Sequence, residues 1–124
     1  MLLDTNVGIR LIFEPHRVPE TARALLRRKA ATTFFSAASL WELSIKEASG
    51  KLPYPTASVF GELIEYGFTE MPVRARHGIE AGRLPRHHGD PFDRLLIAQA
   101  RLEGLRLVTS DGQMKRYEVD LLLV

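Results

Sequence analysis

The stretch that decides the fold runs His87-His88-Gly89-Asp90-Pro91-Phe92-Asp93-Arg94-Leu95-Leu96-Ile97-Ala98-Gln99-Ala100. Asp90 is a favourable N-cap and Pro91 suits the first helical position, so a helix is expected to begin here. A turn of about 100° per residue brings to one side Phe92, Leu96, Ile97 and Ala100. Asp93 falls among them, and a carboxylate on an apolar face is costly to desolvate unless a cation meets it. The segment therefore predicts a helix with a functional carboxylate. Helix capping and the helix dipole are the plainer explanation, which suits Asp90 well and Asp93 less well.

The composition is that of an ordinary globular protein. Of the 124 residues, 45% are hydrophobic and 26% are charged, so we expect one domain over residues 1–124. The chain has no cysteine, which excludes a disulfide framework and thiolate metal sites. Its formal net charge of +2 permits nucleic-acid binding without requiring it. There is no long apolar run and the first residues do not resemble a signal peptide, so no membrane association and a cytoplasmic location are expected.

Short apolar strands alternate with helical segments along the chain. The patterns predict strands at residues 1–5, 32–35, 68–71, 106–109 and 119–124. They predict helices at residues 6–13, 19–29, 37–48, 56–66, 74–83 and 91–103. On the third of these helices the expected apolar stripe consists of Ala38, Trp41, Ile45 and Ala48, with Glu42 at its border. Such alternation is typical of a parallel sheet with helices on both faces.

Four acidic residues from distant parts of the sequence are expected to meet at one edge of this sheet: Asp4, Glu42, Asp93 and Asp111. Open α/β sheets bind ligands beyond the carboxyl ends of their strands. Each acid also has a local explanation, such as a helix cap at Asp4 or a turn at Asp111. Glu42 is placed to pair with Lys46 one helical turn later.

Carboxylates that cluster without a cation repel one another, and a divalent cation removes that repulsion. Because the ligands are all oxygens, the sequence favours Mg²⁺ or Mn²⁺ over zinc. Such a site supports hydrolysis of phosphodiester bonds, since the metal lowers the pKa of water and steadies the leaving oxygen. No serine or cysteine nucleophile motif and no glycine-rich phosphate loop is present. His87 and His88 are interpreted as a loop pair, with substrate contact as the alternative.

Several segments, in order, resemble the PIN-domain family, and within it the VapC-like toxins of bacterial type II toxin–antitoxin systems. They are Leu2–Asn6, Ser36–Glu42, Gly50–Leu52, Leu84–Pro85, His87–Ala100 and Leu107–Asp111. The resemblance covers essentially the whole chain. It implies a PIN-like three-layer α/β sandwich, with a parallel sheet of about five short strands in the order 3-2-1-4-5 and helices on both faces. It also implies a Mg²⁺-dependent endoribonuclease with an RNA substrate, a cognate antitoxin, a homodimer and a higher toxin–antitoxin assembly.

The resemblance also assigns roles to individual residues. Asp4 and Asp93 would be the most direct metal ligands, Glu42 would hold a metal-bound or attacking water, and Asp111 would complete the acidic site. Asp90 would cap the helix and support the site, or serve as a further ligand. The residues that would orient the carboxylates or the scissile phosphate are Thr5, Asn6 and Thr109. The candidate RNA contacts are Lys46, Arg83, Arg86, His87, His88 and Arg94.

Other functions stay open on the sequence alone. A PIN fold that captures RNA or a protein without cleaving it would share the pattern. So would a metal-dependent DNA nuclease, since no residue here identifies the 2′-OH of RNA. A signalling receiver domain would need a phosphorylatable aspartate at the end of the third strand, where this chain has Glu70-Met71-Pro72. The apolar residues of the first two helices would suit an antitoxin helix, or would simply pack on the sheet: Ile9, Leu11, Ile12, Phe13, Leu25 and Leu26.

Overall fold

In a computed structural model, which describes residues 1–124, five short strands form one parallel sheet. The strands are β1 (Leu2–Leu3), β2 (Phe34–Ser36), β3 (Thr69–Met71), β4 (Leu107–Thr109) and β5 (Leu121–Leu123). Their order is β3-β2-β1-β4-β5, and each neighbouring pair is parallel. The predicted α/β class and strand order are therefore confirmed. The strand order switches direction at β1, which is where such sheets bind ligands.

Six helices connect these strands: α1 (Thr5–Phe13), α2 (Glu20–Arg28), α3 (Ala37–Ala48), α4 (Thr56–Tyr66), α5 (Ala75–Arg83) and α6 (Pro91–Glu103). Three short 3₁₀ turns span Pro15–Arg17, Ala30–Thr32 and Gly112–Arg116. The sequence predicts α3 and α4 with these same bounds, and the bounds of the other elements lie within about two residues of those expected. Gly67 and Gly104 end α4 and α6 with φ of 107° and 64°, a conformation that favours glycine.

The sheet separates two apolar clusters, because successive side chains of a strand point to opposite faces. Leu3 and Val108 join a cluster with residues of α1 to α4, which also includes Val7, Leu11, Leu26, Phe35, Leu43, Val59, Leu63 and Phe68. Leu2 and Leu107 join the cluster on the other face, which also includes Met71, Leu84, Leu96, Ile97, Ala100, Met114 and Tyr117. This arrangement is a three-layer sandwich, as expected. No helix has the length and apolar character that crossing a membrane requires.

The predicted apolar stripe of α3 is wrong at three of its four positions, because Trp41, Ile45 and Ala48 are all exposed. Trp41 is 64% exposed and Ile45 is 46% exposed, whereas the buried face consists of Ala38, Ser39 and Leu43. Trp41 lies two residues from both Ser39 and Leu43, which is about 200° around the helix axis. The small Ser39 is buried because its hydroxyl oxygen accepts a hydrogen bond from Thr5 Oγ1 at 2.8 Å. With its hydroxyl hydrogen-bonded, Ser39 faces the interior, and the Trp41 indole on the other side of the helix faces outward.

Candidate active site

The central strands β1 and β4 place Asp4 and Asp111 at the same edge of the sheet. The two strands are paired in parallel, with Leu3 opposite Val108. Asp4 follows β1 directly and is only 5% exposed. The Thr109 hydroxyl at the end of β4 donates to Asp4 Oδ2 at 2.7 Å and accepts a hydrogen bond from the Asp111 backbone N–H at 3.1 Å. One hydroxyl therefore links the two acidic segments.

Glu42 and Asp93 reach the same edge from α3 and α6. Burial is the main cause that raises the pKa of Asp93 to about 7, and the negative charges of Asp90, Asp4 and Glu42 raise it further, while His88 opposes the shift. Burial likewise raises the pKa of Asp4. Hydrogen bonds oppose that rise, whereas the charges of Glu42 and Asp111 add to it. The structure thus brings the four predicted acids into one electrostatic cluster.

Three of the acidic side chains have local partners. Glu42 Oε2 lies 3.5 Å from Lys46 Nζ, the pair expected one helical turn apart. Asp111 Oδ1 accepts a hydrogen bond from the Gln113 backbone N–H at 2.9 Å and so caps a 3₁₀ turn. Asp90 Oδ1 accepts hydrogen bonds from the first turn of α6, at 2.9 and 3.0 Å. Asp111 and Asp90 therefore stabilise the backbone that surrounds the cluster, whereas Glu42 is paired with a side chain.

Asp4 and Asp93 differ from the other acids, because neither caps a helix or a turn and neither pairs with Lys or Arg. Asp4 precedes α1, but its side chain makes no capping hydrogen bond. Asp93 lies in the first turn of α6, and the only basic group beside it is His88, with Nε2 at 3.5 Å from Oδ2. Helix capping therefore accounts for Asp90 but not for these two carboxylates.

His88 is held in place by a residue that sequence analysis did not identify. The Tyr117 hydroxyl lies 2.9 Å from His88 Nδ1 and accepts the His88 backbone N–H at 3.3 Å. The His87 ring meets the Tyr117 ring edge to face, with centroids 4.9 Å apart. Tyr117 is buried, and its position after a 3₁₀ turn belongs to no motif. The only sequence signal for Tyr117 is that it is a lone aromatic residue in an otherwise polar segment.

Arg94 has a different role from the RNA contact expected of it. Its two terminal nitrogens donate to four backbone carbonyls: Pro85 O at 2.9 Å, His88 O at 3.4 Å, Ala81 O at 2.9 Å and Leu84 O at 2.9 Å. These carbonyls belong to the end of α5 and the loop that follows it. The guanidinium thus fixes the loop that carries His88, which leaves its terminal donors no free capacity for a phosphate.

The remaining predicted residues lie around this edge or on the surface. Thr5 is buried and Asn6 is exposed on the first turn of α1, while Arg83 and Arg86 are exposed. Arg10 is a basic residue that the sequence analysis missed. Its Nη1 donates to Ser110 Oγ at 3.1 Å, directly beside Asp111.

The donor set fits a hard divalent cation such as Mg²⁺, because it consists of carboxylate and hydroxyl oxygens. No three His, Asp or Glu side chains stand in a metal-binding arrangement. Mg²⁺ does not require a closed protein cage, since it usually keeps several waters and uses one or two carboxylates. Asp4 and Asp93 are the two carboxylates that neither cap a helix nor pair with Lys or Arg.

Comparisons with known proteins agree with this architecture. The sequence model of a family described as "PIN domain" matches residues 1–120. No curated protein matches significantly by sequence. Among solved structures, the chain is similar to VapBC2 from Rickettsia felis bound to a promoter DNA fragment, with 20% identity, TM-score 0.73 and coverage of 98% of this chain and 96% of the other. It is also similar to DNA-bound VapBC from Salmonella typhimurium, with 20% identity, TM-score 0.76 and coverage of 98% and 95%. FitAcB from Neisseria gonorrhoeae gives 20% identity, TM-score 0.66 and coverage of 98% and 95%.

Proposed function

The chain belongs to the PIN-domain family, and on this premise we propose that it is a VapC-like, Mg²⁺-dependent endoribonuclease of a toxin–antitoxin system. Its reaction would be hydrolysis of phosphodiester bonds in RNA, by one domain over residues 1–124. PIN domains are generally nucleases. The observation that carries the proposal is that Asp4 and Asp93 share one edge of the sheet, and neither forms an ion pair with Lys or Arg.

The proposed role of each acid follows from the groups that it contacts. Asp4 and Asp93 would hold Mg²⁺, with Mn²⁺ as a substitute, and Asp111 would complete the site directly or through water. When bound, Mg²⁺ supplies positive charge that lowers the pKa of the attacking water and stabilises the leaving oxygen. Glu42 would orient that water, while the Thr109 hydroxyl fixes Asp4 through its 2.7 Å hydrogen bond. Asp90 would act mainly through the backbone of α6, which it caps.

Binding of the substrate would rely on groups around this edge. Arg10 beside Asp111 and Lys46 beside Glu42 are placed to meet phosphates that flank the scissile one. His88, whose Nε2 lies 3.5 Å from Asp93 Oδ2, would meet the substrate at the site itself. The exposed candidates further along are Asn6, Arg83, Arg86 and His87. Thr5 is hydrogen-bonded to Ser39 and would support α1 from the interior.

A substrate comparison tests the proposed reaction. The purified chain is incubated with a pool of structured RNAs, and with DNA of the same sequences, in Mg²⁺ and in EDTA. Discrete RNA products that need Mg²⁺ support an endoribonuclease. If only the DNA is cleaved, and the cleavage needs metal, the substrate is DNA rather than RNA. If RNA is bound but no products form, the chain captures RNA without cleaving it.

We also propose a cognate antitoxin, because the similar structures are VapBC and FitAcB proteins. An apolar groove of about 220 Å³ lies between α2 and the edge strand β5, lined by Leu25 and Leu123 among others. It would take the apolar face of an antitoxin helix. Leu123→Lys should weaken binding of the co-expressed antitoxin, so that the toxin stays active. Leu102→Lys, at an exposed site on α6, should not weaken this binding. Arrest of bacterial growth is the readout, and equal protection of both variants by the antitoxin would contradict this groove.

A homodimer, a larger toxin–antitoxin assembly and a cytoplasmic location complete the proposal. Light scattering of the chain alone and of the co-expressed complex measures both stoichiometries.

A further inference from the structure

The single tryptophan of the chain is largely exposed. Trp41 has 64% of its surface accessible, although it lies on a helix whose other side is packed. Its indole contacts the ring of Phe92 edge to face, with centroids 5.4 Å apart and planes at 72°. This contact holds the indole in one orientation and leaves most of it open. The open face of the indole, supported from one side by Phe92, is a flat aromatic surface available for binding.

The position of this aromatic pair relates it directly to the acidic cluster. Trp41 precedes Glu42 on α3, and Phe92 precedes Asp93 on α6. Each ring therefore belongs to a residue next to an acid, and the two rings meet where α3 and α6 come together. Successive residues of a helix point about 100° apart, so the pair lies to one side of the carboxylates, and a chain bound at the acids would extend past the indole.

We propose that Trp41, supported by Phe92, is a stacking platform for an unpaired nucleobase beside the scissile phosphate. The inference rests on the proposed function in that a nucleic-acid phosphodiester must enter the acidic site. Aromatic rings stack on single-stranded bases of any sequence, whereas the bases of a duplex are already covered by their neighbours. The platform therefore defines the substrate class as a single-stranded segment or loop.

A second copy of this chain is the competing occupant of the same face. Ile45 lies one helical turn from Trp41 and is also exposed, but the helix presents polar residues between and beyond them, at Ser44 and Glu47. Protein interfaces of standard size use about 20–30 residues on each side. The small apolar area and its continuity with the acids favour a nucleobase.

Fluorescence tests the platform, because every photon of tryptophan emission comes from Trp41. The full chain carrying Glu42→Gln, which keeps Asp4 and Asp93 and removes the group proposed to orient water, is titrated in Mg²⁺ with a short single-stranded RNA of mixed sequence and with the corresponding duplex. Stacking predicts quenching that follows binding of the single strand and is much weaker with the duplex. Trp41→Ala in this background should weaken binding, measured by anisotropy of labelled RNA, by about fivefold or more. Trp41→Phe should retain part of the affinity, and Ile45→Ala should change it little.

Two results would overturn the platform. One is that Trp41→Ala binds the single-stranded RNA as tightly as the protein that keeps Trp41, while the emission of Trp41 is not quenched by that RNA. The other is emission that shifts with protein concentration rather than with RNA, which would show that a second copy covers the indole. Gels of the same RNA with the unmodified chain separate this question from the proposed function. Cleavage without quenching would refute the platform alone, and quenching without cleavage of any RNA would refute the nuclease alone.

Discussion

Replacement of Asp93 by asparagine should stabilise the metal-free protein at high pH. The pKa of this carboxyl is raised from 3.8 to about 7, mainly by burial and then by the charges of nearby acids. The folded protein therefore binds more protons than the unfolded chain between about pH 4 and pH 7. Stability falls as pH rises through this window, because ionised Asp93 is costly in the cluster. An amide has nearly the same shape and does not ionise, so Asp93→Asn removes that cost.

The magnitude follows from the size of the shift. Each pKa unit corresponds to about 1.36 kcal/mol, so a rise from 3.8 to about 7 sets an upper value of about 4 kcal/mol. The Asp93 side chain keeps 24% of its surface exposed, and solvent screens part of the repulsion. We expect Asp93→Asn to raise the free energy of unfolding by about 2–4 kcal/mol at pH 8 in EDTA, and by close to zero at about pH 4.

Urea unfolding of both proteins at a series of pH values, in EDTA, measures this difference. Glu62→Gln is the matched control, because Glu62 is an exposed acid on α4 without an ion pair. Its stability should follow that of the parent at every pH. If Asp93→Asn is no more stable than the parent at pH 8, the carboxylates do not repel one another as described, and the case for a cation at this edge is lost.

The other predictions concern metal, pH and the two residues that hold the His88 loop. Mg²⁺ at about 100 times its Kd should stabilise the parent by about 2.7 kcal/mol but not Asp93→Asn, and equal shifts in melting temperature would contradict a site at Asp93. Mg²⁺-dependent cleavage should decline as pH falls below about 7, since protons then compete with the ion at Asp93; a flat rate profile from pH 5 to 8 would oppose this. Tyr117→Phe removes the hydroxyl that anchors His88 and should lower the cleavage rate about tenfold, with a loss of stability below about 1.5 kcal/mol; an unchanged rate would make the anchor irrelevant to activity. Arg94→Lys cannot serve four carbonyls and should cost about 1.5–3 kcal/mol in urea unfolding, and a smaller loss would show that the loop holds itself.

The features that the sequence predicted correctly depend on local chemistry. Asp90 and Pro91 define the start of α6, and Asp90 caps it with two hydrogen bonds. Ser36 caps α3 in the same way, by accepting the Ala38 backbone N–H at 3.1 Å. The edge at which the acids meet follows from alternating strands and helices, since parallel strands end on the same side. Strand order required the family resemblance, because strand propensity carries no information on which strands are neighbours.

The features that were missed depend on contacts between distant segments. The sequence predicts that Trp41 faces the interior, but the buried face of α3 instead includes Leu43 and Ser39, whose hydroxyl is hydrogen-bonded to Thr5. Arg94 looked free to bind phosphate, because its carbonyl partners come from a loop whose path has no sequence signal. Tyr117 lies 29 residues from His88 along the chain, so no local spacing links them.

Cleavage of RNA by the purified chain tests the central claim most directly, with Mg²⁺, with EDTA and with Asp93→Asn compared side by side. The proposed site predicts discrete products with Mg²⁺, and at least about a hundredfold fewer in EDTA or with Asp93→Asn, even though that variant is the more stable protein. Products that persist undiminished in Asp93→Asn would contradict the assignment of Asp93 to the reaction.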